Sequence, residues 1–410
     1  MATNIMSVSY PSWRRLLTLM LTVSNRVTDM LFQAPDLDEV EFRVLDQIED
    51  VKGRLRWQLT EPRRWYGSLR RLSFARAIQG SNSIEGYEAG LDDAMDVAAG
   101  EEPLDAGSET RLALRGYRDA MTYVLQLAEE SEFEYNEQLL KSLHFMMTNY
   151  SLKNRPGRWR AGSIYVRNDE TSEIVHEGPD IDRVPELIRE LMDDLNRDHE
   201  LPAIVAACLA HLNLVMIHSF RDGNGRMARC LQSLVLARVK VVSPVFMSIE
   251  EYLGRNTQAY YDVLAQVGGG SWQPQRDVRP WLRFTLTAHL RQVRTMLQRV
   301  RESERTWTEL EEIVRINKLP ERSIMALFDA ALGLRVRNVT YRSYYADTPD
   351  EITEATATRD LRKLVSSGLL EPRGEKSGRH YVAQAELISI CQRIIAAREP
   401  RDNTDPFANS

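Results

Sequence analysis

Apolar residues recur at helical spacing along most of the chain. Between Leu37 and Leu59, the residues Val40, Phe42, Leu45, Ile48, Val51 and Leu55 fall on one helical face among many charges. Similar patterns predict helices over Trp65–Ser83, Glu109–Glu129, Asn136–Tyr150, Pro179–Asn196 and Leu201–Ile217. Further helices are predicted from Arg226 to about Lys240, over Ser248–Val267 and from Trp272 to about Arg301. Near the start, Arg14-Arg15 precedes the short apolar run Leu16 to Val23. That run is far below the roughly 20 residues of a membrane span, and no small-residue cleavage site follows it. It predicts an amphipathic helix, and no membrane association.

The periodicity breaks twice. From Asn154 the chain is turn-rich through Arg155-Pro156-Gly157-Arg158-Trp159-Arg160-Ala161-Gly162. Ser163-Ile164-Tyr165-Val166 then has strand character, with a polar turn at Asn168-Asp169-Glu170 and a return strand at Ile174-Val175. Such a hairpin either holds an extended peptide by strand pairing or is purely structural. From about Thr306, helices are predicted over Trp307–Ile316, Leu319–Leu332 and Glu351–Ser367. A strand at Leu369-Leu370-Glu371-Pro372, the polar turn Arg373 to Arg379 and a strand at His380-Tyr381-Val382 follow. Three helices and a hairpin form a winged helix-turn-helix pattern, with Thr356, Thr358, Arg359, Arg362 and Lys363 on the recognition helix. Between Thr353 and Val382 stand six Lys/Arg and four Asp/Glu, so this surface is only mildly basic and suits either DNA or protein contacts. Glu399 to Ser410 reads as a disordered tail.

Composition narrows the class. At 410 residues, with 43% apolar and 27% charged positions, the chain has the make-up of a soluble globular protein. A prior of about 100–200 residues per domain gives two to four domains. The net charge of -6 provides no global attraction to nucleic acid or anionic membrane. Cys208, Cys230 and Cys391 have neither metal-ligand spacing nor a disulfide pattern, which fits a reducing, cytoplasmic compartment.

The chemistry concentrates in His218-Ser219-Phe220-Arg221-Asp222-Gly223-Asn224-Gly225-Arg226-Met227-Ala228-Arg229, a polar loop between two apolar helical stretches. His218 is suited to general-base work near neutral pH. Asp222 is a hard oxygen ligand able to hold Mg²⁺ on a polyphosphate. Gly223 and Gly225 let the backbone approach phosphate oxygens, Asn224 adds an amide, and the following helix N-terminus favours anions. Arg226 and Arg229 share a helix face and can clamp phosphates. Upstream, Gly86 is placed to end a helix in a left-handed conformation, leaving Glu85 in the last turn, where the helix dipole disfavours a carboxylate. Glu85 is therefore either a plain surface residue or one with a cationic partner elsewhere. His144 and His211 read as packed core histidines.

His218 to Arg229 matches the Fic motif, H-x-F-x-(D/E)-G-N-G-R-x-x-R, at every specified position, with Ser219 where proline is common. The chain thus resembles the Fic family over roughly residues 65 to 300. The resemblance implies a mainly α fold: a Fic-type helical bundle with a small β-hairpin flap, followed by the C-terminal winged helix-turn-helix domain. The expected divisions are an N-terminal helical region at 1–105, a Fic core at 106–302, a winged helix at 303–395 and a tail at 396–410. It also implies a protein adenylyltransferase that uses ATP and Mg²⁺. His218 would deprotonate a Ser, Thr or Tyr hydroxyl of a protein target or of the enzyme itself. Asp222 would hold the metal, Gly223, Asn224 and Gly225 would form an anion hole, and Arg226 and Arg229 would orient the phosphates. Ser81, Glu85 and Gly86 match the family's inhibitory motif, (S/T)-x-x-x-E-(G/N), so Glu85 would pair with Arg229. Ile164, Tyr165 and Val166 resemble the target-binding flap. Tyr260 and Tyr261 resemble a tyrosine pair near the adenine, although Val267-Gly268-Gly269 stands where some members carry asparagine. A homodimer is a candidate assembly. Alternative readings are a nucleotide-sensing transcriptional regulator that binds DNA through the winged helix, and removal of AMP at the same site.

Overall fold

The computed structural model describes residues 30–59, 63–167, 174–197, 200–238, 244–400 and 402–408. The helix expected at 14–23 and the turn at Asn168-Asp169-Glu170 lie outside the described residues. In chain order the elements are α1 (Glu39–Gln58), α2 (Tyr66–Ser83), α3 (Leu91–Ala98), α4 (Ser108–Leu127) and α5 (Glu137–Thr148). Then come β1 (Tyr165–Arg167), β2 (Ile174–Glu177), α6 (Val184–Asn196), α7 (Ala203–Ile217), α8 (Asn224–Arg238) and α9 (Pro244–Met247). The second half holds α10 (Glu250–Arg255), α11 (Thr257–Gly268), β3 (Gly270–Ser271), α12 (Arg279–Ile316), α13 (Ile324–Ala331) and α14 (Asn338–Ser343). The chain closes with α15 (Glu354–Ser366), β4 (Leu370–Arg373), β5 (His380–Ala383) and α16 (Ala385–Ala396). The fold is mainly helical, as expected, and no helix among the described residues is long and apolar enough to cross a membrane.

The centre of the bundle is α7. Its sequence AIVAACLAHLNLVMI is apolar on nearly every side, so it has no solvent face and is enclosed all round. Leu214, Ile217 and Ala210 pack with Phe220, Met227 and Leu231 from the loop and α8, and with Tyr117, Leu143 and Ile188 from α4, α5 and α6. Each such buried aliphatic or aromatic side chain contributes about 1.5–3 kcal/mol. The loop between α7 and α8 is therefore anchored at both ends in a buried apolar cluster.

Helix α2 is held against α10 at close range. A Cβ on Gly80 would collide with the Glu250 carbonyl oxygen, so glycine is required for this crossing. Beneath it the buried Glu250 carboxylate accepts from Tyr117 Oη (3.2 Å), Ser233 Oγ (2.8 Å) and Ser248 Oγ. Glu251 accepts from Arg76 of α2 and from Arg299 of α12. Burial alone would raise the Glu251 pKa, but Arg299, Arg76 and Arg255 hold it down at about 2.

Several expectations need correction. The division at 302/303 falls inside α12, an uninterrupted helix that spans about 57 Å at 1.5 Å per residue. Arg301-Glu302-Ser303-Glu304-Arg305 contains no helix breaker, and α12 packs on both the N-terminal helices and the C-terminal unit. Ser248–Val267 is two helices, interrupted at Asn256. The hairpin gains a third strand: the order is β1-β2-β3, with β2 antiparallel to β1 and parallel to β3. Within 402–408, part of the stretch expected to be disordered, most residues are exposed but two are anchored. Phe407 is buried beneath the Arg283 guanidinium, and Asp402 pairs with Arg294 at 2.9 Å.

The C-terminal unit comprises α13, α14, α15 and the antiparallel pair β4–β5, extended by a bridge between Val336 and Tyr381. The residues flanking Val336 dock it onto α3. Arg335 pairs with Asp93 and Asp105 at 2.8 Å and with Asp92 at 3.3 Å, and Arg337 pairs with Asp96 at 3.4 Å. Leu334 joins Leu72 and Ala75 of α2 and Ala94 and Met95 of α3 in a small apolar cluster.

Candidate active site

His218 terminates α7 in a left-handed conformation, φ 51° and ψ 53°. Non-glycine residues rarely adopt this geometry, and when they do it commonly marks a functional position. Its Nδ1 lies 3.1 Å from the Val215 carbonyl oxygen. A carbonyl only accepts, so Nδ1 carries the proton and the Nε2 lone pair is free. Burial, with His176 and Arg160 adding to it, pulls the imidazole pKa down to about 4 against the opposing Val215 hydrogen bond and Glu85. The ring is neutral at physiological pH and can accept a proton.

Beyond His218 the loop is bound by its own side chains. Asn224 Oδ1 accepts from Phe220 N and Asn224 Nδ2 donates to Phe220 O, both at 2.9 Å. The Asn224 amide is thus committed to loop closure. Asp222 Oδ1 accepts from Gly223 N at 2.8 Å, and Asp222 Oδ2 accepts from Asn154 Nδ2 at 2.6 Å. The Asp222 side chain is half-exposed. Among the described residues no group of three or more His, Cys, Asp or Glu could form a metal cage. A lone, oriented carboxylate still suits Mg²⁺, which keeps several waters and commonly takes one or two carboxylates plus substrate phosphates.

Three residues that the sequence reading did not assign to the site position this loop. His144 stacks on Phe220 with ring centroids 3.8 Å apart. It accepts from Gly157 N at Nδ1 (2.9 Å) and therefore donates from Nε2 to Asp222 O (3.0 Å), and burial lowers its pKa to about 4. Asn154 orients Asp222. Arg160 donates from Nε to His218 O at 3.0 Å, while its terminal nitrogens bind the Gly162 and Pro179 carbonyls. A histidine on an apolar helix face carries no local sign of such a role, and only the turn-rich Arg155-Pro156-Gly157 stretch hinted at one.

The two arginines of α8 are buried. Arg229 Nε donates to Ser81 Oγ at 2.8 Å, and its Nη2 donates to Ser81 O at 2.9 Å and to Glu85 Oε1 at 2.7 Å. Arg226 lies over the Tyr87 ring and reaches Tyr150 Oη at 3.5 Å and Asp222 Oδ2 at 3.8 Å. Among the described residues, Arg226 Nε and Nη2 and Arg229 Nη1 have no hydrogen-bond partner.

Glu85 lies just past the end of α2 rather than in its last turn, with Gly86 left-handed at φ 81°. Its carboxylate rests on the first turn of α8, where the helix dipole favours negative charge. A Cβ on Gly225 would meet Glu85 Oε1, so a larger residue there would push the carboxylate from its present position. Burial would raise the Glu85 pKa, but Arg229 and Arg226 overcome it and hold it below its usual value. The same carboxylate keeps both arginines above theirs, against the opposing effect of burial.

The expected tyrosine pair divides. Tyr261 is half-exposed and donates to the Ile84 carbonyl at 2.8 Å, beside the Glu85 turn. Tyr260 is only 1% exposed, with its hydroxyl 3.0 Å from His211 Nε2 and its ring 6.0 Å from the Arg229 guanidinium. Tyr260 therefore lies beneath the Arg229 guanidinium, and Tyr261 lies beside the Glu85 turn. Ile164, Tyr165 and Val166 lie on and beside β1, with Tyr165 opposite Glu177 and Val166 opposite His176. Gly178 N donates to Ile164 O at 3.2 Å.

Residues 134–236, which include the whole loop, match the Fic/DOC family model. Over 258 residues the chain is 27% identical to the protein adenylyltransferase Fic of Nematostella vectensis, covering 61% of this chain and 55% of that protein. Over 130 residues it is 34% identical to the protein adenylyltransferase fic-1 of Caenorhabditis elegans, covering 31% and 22%. The chain thus spans about half or less of the length of these curated relatives. A solved Fic family protein from Desulfovibrio desulfuricans shares the fold, with a TM-score of 0.54 at 23% identity over 86% of this chain and 99% of that one. The motif's histidine, carboxylate, glycines and arginines gather around one helix N-terminus, and the stretch that matches the Fic/DOC family model spans them.

Proposed function

We propose that this protein transfers AMP from ATP to a Ser, Thr or Tyr hydroxyl of a protein, itself included, and that Glu85 restrains the reaction. The observation that carries this reading is the Glu85 carboxylate lying on the α8 N-terminus beside buried guanidinium donors. An internal anion occupies a place built for one.

In this reading His218 Nε2 takes the proton of the target hydroxyl. The hydroxyl oxygen bonds to the α-phosphorus as the bond from that phosphorus to the bridging oxygen breaks, and pyrophosphate leaves. The backbone amides of Asn224 and Gly225 at the α8 N-terminus would meet developing phosphate charge, a fixed electrostatic contribution, while Gly223 N is held by Asp222 Oδ1. Asn224 acts through its backbone, since its side chain closes the loop. Asp222 would hold Mg²⁺, which supplies charge neutralisation on the phosphates. Arg226 and Arg229 orient those phosphates, and Arg229 is withheld while Glu85 and Ser81 bind it. Strand β1 is the edge of its sheet and offers backbone groups to an extended target segment. Incubation with α-labelled ATP tests the reading: wild type takes up label weakly, and His218→Ala takes up none. Undiminished labelling of His218→Ala would refute the assigned base.

A second reading concerns the C-terminal unit. Arg359 and Arg362 are exposed on α15, and Arg373, Lys376 and Arg379 are exposed around the β4–β5 turn. This arrangement suits the backbone of duplex DNA. A mobility-shift assay at low salt tests it, and no shift there argues against it.

A further inference from the structure

Residues 138 to 167 contain no Asp or Glu and six Lys or Arg, in a chain whose net charge is -6. This stretch runs from α5 to β1 and forms one rim of the site: His144 and Asn154 touch Asp222, and Arg160 touches the His218 carbonyl. Two of the six cations are already committed, Arg160 to backbone carbonyls and Lys141 to Glu137. Lys153 and Arg158 are exposed and Arg155 is half-exposed, and Arg221 of the central loop is exposed beside Asp222. Among the described residues none of these four enters an ion pair, whereas surface arginines elsewhere, such as Arg54, Arg64, Arg315 and Arg393, do. Set among them are two outward apolar side chains, Leu152 at 83% exposed and Phe145 at 52%.

Resting on the transfer reading, we propose that this rim selects the protein substrate and that it favours a hydroxyl flanked by acidic residues. Unpaired cations around a reaction mouth attract a segment of opposite charge and repel one of like charge, which affects encounter and register more than chemistry. Exposed Leu152 and Phe145 favour a protein over a bare polyanion, because an apolar anchor within a charged rim is the usual anatomy of a protein interface. Steering of ATP itself is a different outcome and falls on a different kinetic constant.

The test uses the full chain with Glu85→Gly, which frees Arg229, and three synthetic peptides of equal length. Each peptide carries one Ser, one Thr and one Tyr, flanked by Asp/Glu, by Gln or by Lys. The expected kcat/KM for AMP transfer is about tenfold or more higher on the acidic peptide than on the basic one, a difference of ~1.4 kcal/mol. The difference lies in the peptide KM and shrinks at high salt. Adding the double change Lys153→Glu and Arg158→Glu reverses the order of the peptides. Equal rates on the three peptides, a preference that survives this charge reversal, or a change confined to the KM for ATP would each overturn the proposal. Label incorporated into the enzyme in the same samples separates the two readings. Self-labelling with a flat peptide series removes the rim proposal alone, and the absence of any label removes both.

Discussion

Glu85 and Arg229, 144 positions apart in sequence, meet at 2.7 Å at the first turn of α8. The carboxylate leaves the C-terminal end of α2, where a helix dipole repels it, and settles at the N-terminal end of α8, where a dipole attracts it. Ser81, one turn earlier on α2, fixes the same guanidinium through its hydroxyl and its carbonyl. The pair is therefore held from both sides, and in the proposed function it stands in the way of a nucleotide phosphate.

Acid should not release this restraint until well below neutral pH. The folded-state pKa of Glu85 lies below its usual value, so its contribution to stability is fully present above the unfolded carboxylate pKa. That contribution is lost only as pH falls through the lower folded value. His218, with a pKa near 4, stays an unprotonated base from neutral pH down to about pH 5. In the Glu85→Gly protein, transfer rates should hold nearly constant from about pH 8 to pH 5, without the loss expected for an ordinary histidine near 6.5. A pH–rate profile falling through pH 6.5 contradicts this.

Truncation of His144 should impair the reaction without removing any group that contacts substrate. Its ring fills the space beneath Phe220, takes the Gly157 N–H and fixes the Asp222 carbonyl. The expected outcome for His144→Ala is about 2–4 kcal/mol of lost stability by urea unfolding. The kcat in the Glu85→Gly background should fall more than the ATP KM rises, with partial recovery in His144→Gln. Unchanged stability and rate would show that the loop keeps its shape without the ring.

Removal of the Arg335 side chain should loosen the C-terminal unit. Arg335 satisfies Asp92, Asp93 and Asp105 together, and the Asp93 side chain is almost wholly buried. Leaving that carboxylate unpaired costs about 3–5 kcal/mol. Arg335→Ala should therefore unfold at lower denaturant, and protease should cut more readily near Leu332 to Val336. Helix α3 follows the Glu85 turn directly and packs with α2, so labelling of this variant should rise above wild type. An equal rate would show that the docking is structural only.

Much of the site was legible in sequence because it is local. His218 to Arg229 is one continuous loop, and its order of base, carboxylate, glycines and arginines survives folding unchanged. Glu85 was legible only through its motif, since the helix-end argument supplied a reason for a cationic partner but not its identity. His144, Asn154 and Arg160 act through contacts 58 to 78 positions away in the chain, and nothing in their own neighbourhood records those contacts. The tyrosine pair divides because adjacent residues on a helix point in different directions, one into the core and one outward. Among the elements, α12 was divided because a change in composition near Thr306 resembles a boundary, whereas only a helix breaker would have made one there.

Labelling with α-labelled ATP in wild type and in the Glu85→Gly protein tests the central claim most directly, with the Glu85→Gly, His218→Ala double variant as the control. Freed from its carboxylate partner, Arg229 should engage the nucleotide and labelling should rise at least about tenfold, equivalent to ~1.4 kcal/mol of barrier. The double variant should show none. Equal labelling of wild type and Glu85→Gly would contradict the account.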